Sequence, residues 1–174
     1  MSYDFFLFRA PIDEGHTIAP VKEDPEQESP GTIAPGGFIG LSKDEVKQRL
    51  ADLLLSKHPA FQESEKDYQQ IAQSKSITEA EARQRYRHIE LTDNDGLQVT
   101  LFGDTAGVTM PFLPNPENRL RTAWECLKIL ESQGRFSTYD QQIGRNLDLE
   151  SDFEVVKASY LGANRIVDRT MRKK

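Results

Sequence analysis

The residues able to do chemistry are few and scattered. Three histidines, His16, His58 and His88, lie far apart, and only His88 has an acid nearby in a regular pattern, Glu90 two positions on. Two side chains on one face of a strand are neighbours, not a metal-ligand set. Asp93-Asn94-Asp95-Gly96 has the look of a calcium loop. With Gly96 at loop position 6, however, position 1 becomes Leu91 and position 12 becomes Phe102, where acids are required. The single cysteine, Cys126, falls beside the apolar stripe of a helical segment with no histidine near it in sequence, which suits a core residue better than a nucleophile. There is no G-x-S-x-G, no P-loop and no G-x-G-x-x-G. Gly36-Gly37-Phe38-Ile39-Gly40 precedes a helix but matches neither phosphate fingerprint, and Ser42 already caps that helix. Asp104, in Gly103-Asp104-Thr105-Ala106-Gly107, reads as a turn residue. No cofactor, metal or catalytic function is expected from these residues.

The elements that must position any site are more legible. Tyr3 to Phe8 is an aromatic-rich run, partly apolar on both faces, as befits a central strand. From residue 11 to 40 five prolines and five glycines accompany few large apolar residues, so a long surface loop is expected there. Thr-Ile-Ala-Pro occurs in it twice, at 17–20 and 32–35, too few copies for a repeat architecture. Ser42 with Glu45 forms a capping box, with Leu41 and Val46 at staple positions; Val46, Leu50, Leu53 and Leu54 then recur at helical spacing until His58-Pro59. A short helix is predicted from Ser64, and another from the capping box Thr78–Glu81 to about Tyr86.

Beyond Tyr86 the period changes from 3.6 to 2. Ile89 and Leu91, then Leu97, Val99 and Leu101, then Val108, Met110 and Phe112 all point one way. The opposite positions, including His88, Glu90, Thr100, Phe102 and Thr109, are largely polar. Side chains that meet across a ladder must share a face, so a two-residue turn, which pairs Leu91 with Thr100, fails. A three-residue loop, Asn94-Asp95-Gly96, pairs Leu91 with Val99 and Ile89 with Leu101 and puts Gly96 in the left-handed position. A five-residue loop also satisfies parity, but the glycine favours three. A helix is predicted over 117–133, with Gly134 as its stop. Short strands are expected at Phe136–Tyr139 and Ile143–Leu149, and a last helix over Phe153–Val167, weakened by Gly162. The expected fold is a single α+β domain spanning residues 1–174, an antiparallel meander with helices on its apolar face.

Composition narrows the class. The chain has 174 residues, net charge -6, 37% hydrophobic and 29% charged residues, and no run approaching a membrane span. One cysteine and no secretory leader are consistent with a cytoplasmic protein. Residues 1–30 hold seven acids against Arg9 and Lys22, whereas residues 165–174 hold five bases against Asp168. An acidic chain repels nucleic acid, and its acidic N-terminal part favours a basic protein partner.

Three stretches together carry a likeness: Ser2-Tyr-Asp-Phe-Phe-Leu-Phe8; Arg87-His-Ile-Glu-Leu-Thr92 with Gly96-Leu-Gln-Val-Thr-Leu-Phe102 and Val108-Thr-Met-Pro-Phe112; and Ala123–Leu130 with Tyr139-Asp-Gln-Gln-Ile-Gly144. Over about two-thirds of its length the chain resembles the small acidic immunity proteins encoded beside polymorphic bacterial toxins. The resemblance implies a non-enzymatic antitoxin that binds and occludes a toxin or effector delivered by a contact-dependent or type VI system. It carries over no binding residues. The candidate contact residues come from charge and exposure: Asp13, Glu14, Glu23, Asp24, Glu26 and Glu28 in the acidic segment, and His88, Glu90 and Phe102 on the polar sheet face. The alternatives are a secretion adaptor holding an effector's apolar segment, and an enzyme with an unfamiliar site.

Overall fold

The computed structural model describes residues 2–9, 41–112 and 115–171. The element order is β1 (Ser2–Phe8), α1 (Lys43–Lys57), β2 (Gln62–Glu63), α2 (Tyr68–Lys75), α3 (Glu79–Arg85), β3 (Ile89–Thr92), β4 (Gln98–Leu101), β5 (Thr105–Pro111), α4 (Pro116–Gly134), β6 (Ser137–Asp140), β7 (Arg145–Asn146) and α5 (Phe153–Met171). The strands form one sheet in the order β2-β3-β4-β5-β1-β6-β7, every neighbouring pair antiparallel. The fold is α+β. β1 occupies the interior of the sheet, between β5 and β6, as an aromatic-rich first strand predicts.

The β3–β4 connection is the three-residue loop that parity demands. Leu91 pairs with Val99 and Ile89 with Leu101, Asp93 N–H donates to Leu97 C=O at 3.0 Å, and Gly96 sits at φ 83°. Asp93 Oδ1 accepts from the amides of Asp95 and Leu97, so its carboxylate shapes the turn.

Helices α1, α4 and α5 cover the apolar face. α1 contributes Val46, Leu50, Ala51 and Leu54; α4 contributes Leu120, Ala123, Trp124, Leu127 and Leu130; α5 contributes Val156 and Tyr160. Under them lie Tyr3, Phe5, Leu7, Leu91, Val99, Val108 and Met110, each 1% exposed or less. Each large aliphatic side chain buried in this way contributes about 1.5–3 kcal/mol. The three aromatic polar groups at the core find partners: Tyr3 Oη donates to Asp140 at 2.8 Å, Tyr160 Oη to Pro111 C=O at 2.9 Å, and Trp124 Nε1 to Leu149 C=O at 3.2 Å, whereas Thr138 Oγ1 and Asn164 Oδ1 are buried without a hydrogen bond among the described residues. Both predicted capping boxes form, at Ser42–Glu45 and at Thr78–Glu81.

Three expectations need correction. The helix predicted from Ser64 begins at Tyr68, capped by the Asp67 carboxylate, because Gln62 and Glu63 first pair with Thr92 and Leu91 as edge strand β2. Gly134 is not the stop of α4 but its last helical residue; Arg135 takes the left-handed position, at φ 56°. The glycine is needed for space, since a Cβ there would lie 2.6 Å from the Phe136 ring and 3.1 Å from Leu50. The strand expected over Ile143–Leu149 is only the pair Arg145–Asn146, after which Asp148 and Asp152 turn the chain into α5. The last helix forms as expected, over Phe153–Met171 with Gly162 inside it.

Candidate interaction face

Strand alternation places every second residue of the central strands on the side opposite the helices. The ladder registers order these outward residues into rows. One row crosses the sheet as Glu90, Thr100, Gly107, Phe6, Tyr139 and Asn146. In the next row Phe8 lies opposite both Thr105 and Ser137, and Phe102 N–H donates to Thr105 C=O at 3.0 Å. The His88 ring rests against the Phe102 ring, centroids 5.0 Å apart. Phe6 is 42% exposed and Phe102 43%, in a protein whose other phenylalanines in β1 and on α4's flank are largely buried.

Gly107 lies between these aromatic groups. Strands are about 4.8 Å apart, so β1 and β4 flank it across roughly 10 Å. A Cβ on Gly107 would meet only Phe5 C=O, at 3.9 Å, and its φ lies outside the left-handed region. Among the described residues neither packing nor backbone conformation requires glycine here, although glycine weakens a strand interior. In its row Gly107 stands between Phe6 on β1 and Thr100 on β4, and Phe8 and Phe102 stand on the same face in the neighbouring row, beside Thr105.

The structure therefore brings His88 and Phe102 into ring contact and places Glu90 on the same face, where Ser64 Oγ reaches its carboxylate at 3.4 Å. Burial, followed by the charge of Lys66, lowers the His88 pKa, so the ring is neutral at neutral pH. Lys66 and Lys47 support it from behind. Lys66 Nζ donates to Tyr86 C=O at 2.8 Å and to His88 C=O, while Lys47 Nζ donates to Arg87 C=O at 2.9 Å and Asp44 Oδ1 at 2.8 Å. These groups line a cleft of about 580 Å³ beside the face. Its cations Lys47, Lys66 and Arg87 are matched by Asp44, Glu63 and Glu65, and both ammonium groups hold backbone carbonyls. The cleft fixes the irregular entry to β3, and hence where His88 sits.

The acidic residues Asp13, Glu14, Glu23, Asp24, Glu26 and Glu28, together with His16 and Gly36–Gly40, lie outside the described residues. Phe6, Tyr139 and Gly107 are the face residues that sequence reasoning missed. The available signal was a run, Tyr3–Phe8, with aromatics on both strand faces, and a glycine between alternating residues of a strand.

The remaining chemical candidates have structural duties. The Cys126 thiol is fully buried, and burial pushes its pKa up to about 12, which removes it as a nucleophile. His58 caps α1 with its ring against Phe61. Asp104 accepts from Lys43 and lies 3.9 Å from Arg9, tying the β4–β5 turn to β1 and to the start of α1. Among the described residues no group of three or more His, Cys, Asp or Glu is close enough to hold a metal ion, and no helix is long and apolar enough to cross a membrane. Compared with protein-family models, with curated proteins and with solved structures, the chain matches none of them.

Proposed function

We propose that this protein acts by occupying the surface of another protein: an immunity-type antitoxin, working in the cytoplasm without chemistry of its own, that covers the active region of a toxin domain. The contact face is the open side of the sheet. One observation carries the reading. Phe6 and Phe102, both more than 40% exposed, flank a glycine for which the fold itself has no use. Exposed aromatic side chains clustered on one face are what binding hot spots are made of. The edge strands support docking by the face: β2 and β7 are two residues each, too short to recruit a partner strand. The six acids of the 11–30 segment add attraction for a basic partner.

Co-expression with candidate toxin domains, scored for rescue of growth, tests the proposal. A rescuing partner is expected to bind the wild-type chain and to lose about 30-fold or more in affinity to Phe102→Ala, the size of a hot-spot truncation. Neutralising the six acids is expected to slow association and flatten its salt dependence. Rescue that survives Phe6→Ala, Phe102→Ala and Gly107→Thr together would remove the sheet face from the proposal.

The same exposed aromatic groups fit a secretion adaptor that holds an extended apolar segment. That reading predicts binding to a peptide from an effector, whereas the antitoxin requires the folded toxin domain.

A further inference from the structure

A second glycine has the same lack of internal purpose. Gly162 lies in the middle of α5, a Cβ there would meet nothing within 4 Å, and its φ is not positive. A glycine in a helix interior destabilises relative to alanine, and no described residue approaches it closely enough to require one. At 100° per residue, Val155, Ala158, Gly162 and Ile166 form one continuous stripe along the outer side of α5. All four are exposed, Val155 to 50% and Ile166 to 67%. The opposite side of the helix, with Val156, Tyr160 and Asn164, is buried.

Charge and size say what covers this stripe. Glu154 borders it and Arg169 continues it beyond Ile166 toward that same side, with exposed Arg165 between their directions; they stand eight residues before Gly162 and seven after it. Helix rise puts them about 12 and about 10 Å from Gly162 in opposite directions. If two copies of α5 cross antiparallel at Gly162, each Glu154 comes beside the partner's Arg169, and each Ile166 comes over the partner's Ala158. A large side chain meets a small one, an acid meets a base, and the backbones approach at the residue without a side chain. Such self-complementarity is what a two-fold interface requires.

We infer that the protein self-associates through α5 as an antiparallel two-fold dimer centred on Gly162. One helix pair buries less than the ~1,200 Å² of a standard interface, so the dimer is weak, with a dissociation constant on the order of micromolar. α5 packs on the covered side of the sheet, where its Tyr160 meets Tyr3, so dimerisation leaves both open sheet faces free and makes the assembly bivalent.

Sedimentation equilibrium of the full chain from micromolar to millimolar concentration tests this. The mean mass is expected to climb from 19.8 kDa toward twice that value. Ile166→Glu and Gly162→Leu, both at positions that point outward, are expected to remain monomeric with unchanged circular dichroism. Arg169→Glu is expected to weaken the dimer about three- to tenfold, and adding Glu154→Arg to restore it. A monomer throughout the range, a dimer indifferent to Ile166→Glu, or a double charge swap no tighter than the single one would each overturn the assignment.

Discussion

Along β1, Tyr3, Phe5 and Leu7 alternate with Asp4, Phe6 and Phe8. The first three are 1% exposed or less and lie beneath three helices, whereas Phe6 is 42% exposed. The glycines divide in the same way. Gly134 is held to its identity by Phe136 and Leu50, while Gly107 and Gly162 have room for a side chain and lack one. On the covered face, residue identity follows from contacts inside the chain. On the open face and along the outside of α5, it does not, and that surplus is what points to partners.

The largest effect that can break this comparison is a core truncation. Leu127→Ala, in α4, is expected to cost about 2–5 kcal/mol in urea unfolding. Phe102→Ala should stay within about 0.5 kcal/mol of wild type, as exposed substitutions do. Equal costs would show that the open face is part of the fold. Next in size, Tyr3→Phe removes a buried donor from Asp140, whose other contacts are the amides of Gln142 and Ile143, at an expected cost of about 1–3 kcal/mol.

A smaller effect, of opposite sign, is expected at Gly107. Gly107→Thr should leave stability unchanged or raise it by up to about 1 kcal/mol, because glycine weakens strands and threonine favours them. A clear loss of stability would mean that the fold needs this glycine after all.

The smallest effects are in pH dependence. His88 has a lowered pKa in the folded protein, so the unfolded chain takes up its proton first. Its contribution to stability is complete above about pH 6.5 and declines as pH falls below that value toward the lowered folded pKa. His88→Gln should flatten the stability profile on the acid side of pH 6.5. Asp152 behaves as a paired carboxylate. Two hydrogen bonds from Arg145, each 2.7 Å, and one from the Asp148 amide hold its pKa at about 2. Its contribution is present above about pH 4 and is lost as pH falls toward 2. Asp152→Asn should remove that acid-limb slope in thermal melts.

Much of the fold was legible because local rules suffice for it. The capping boxes at Ser42 and Thr78, the parity of Leu91 with Val99, and the left-handed Gly96 depend on residues within a few positions of one another. β2 was not legible, since two exposed residues carry no period and become a strand only because β3 offers a free edge. The same holds for Gly134, whose role depends on Leu50, far away in sequence. Of the candidate face, His88, Glu90 and Phe102 could be assigned from alternation alone. Phe6 and Tyr139 joined them only through the insertion of β1 between β5 and β6.

By itself, then, the sequence determined which residues form strands and helices and which side of each is apolar, because hydrophobic periodicity and capping act over one or two turns of chain. Only the tertiary structure decided which outward residues are neighbours. Row membership depends on strand order, strand order brings together residues more than 100 positions apart, and no local pattern encodes the distance between Phe6 and Gly107.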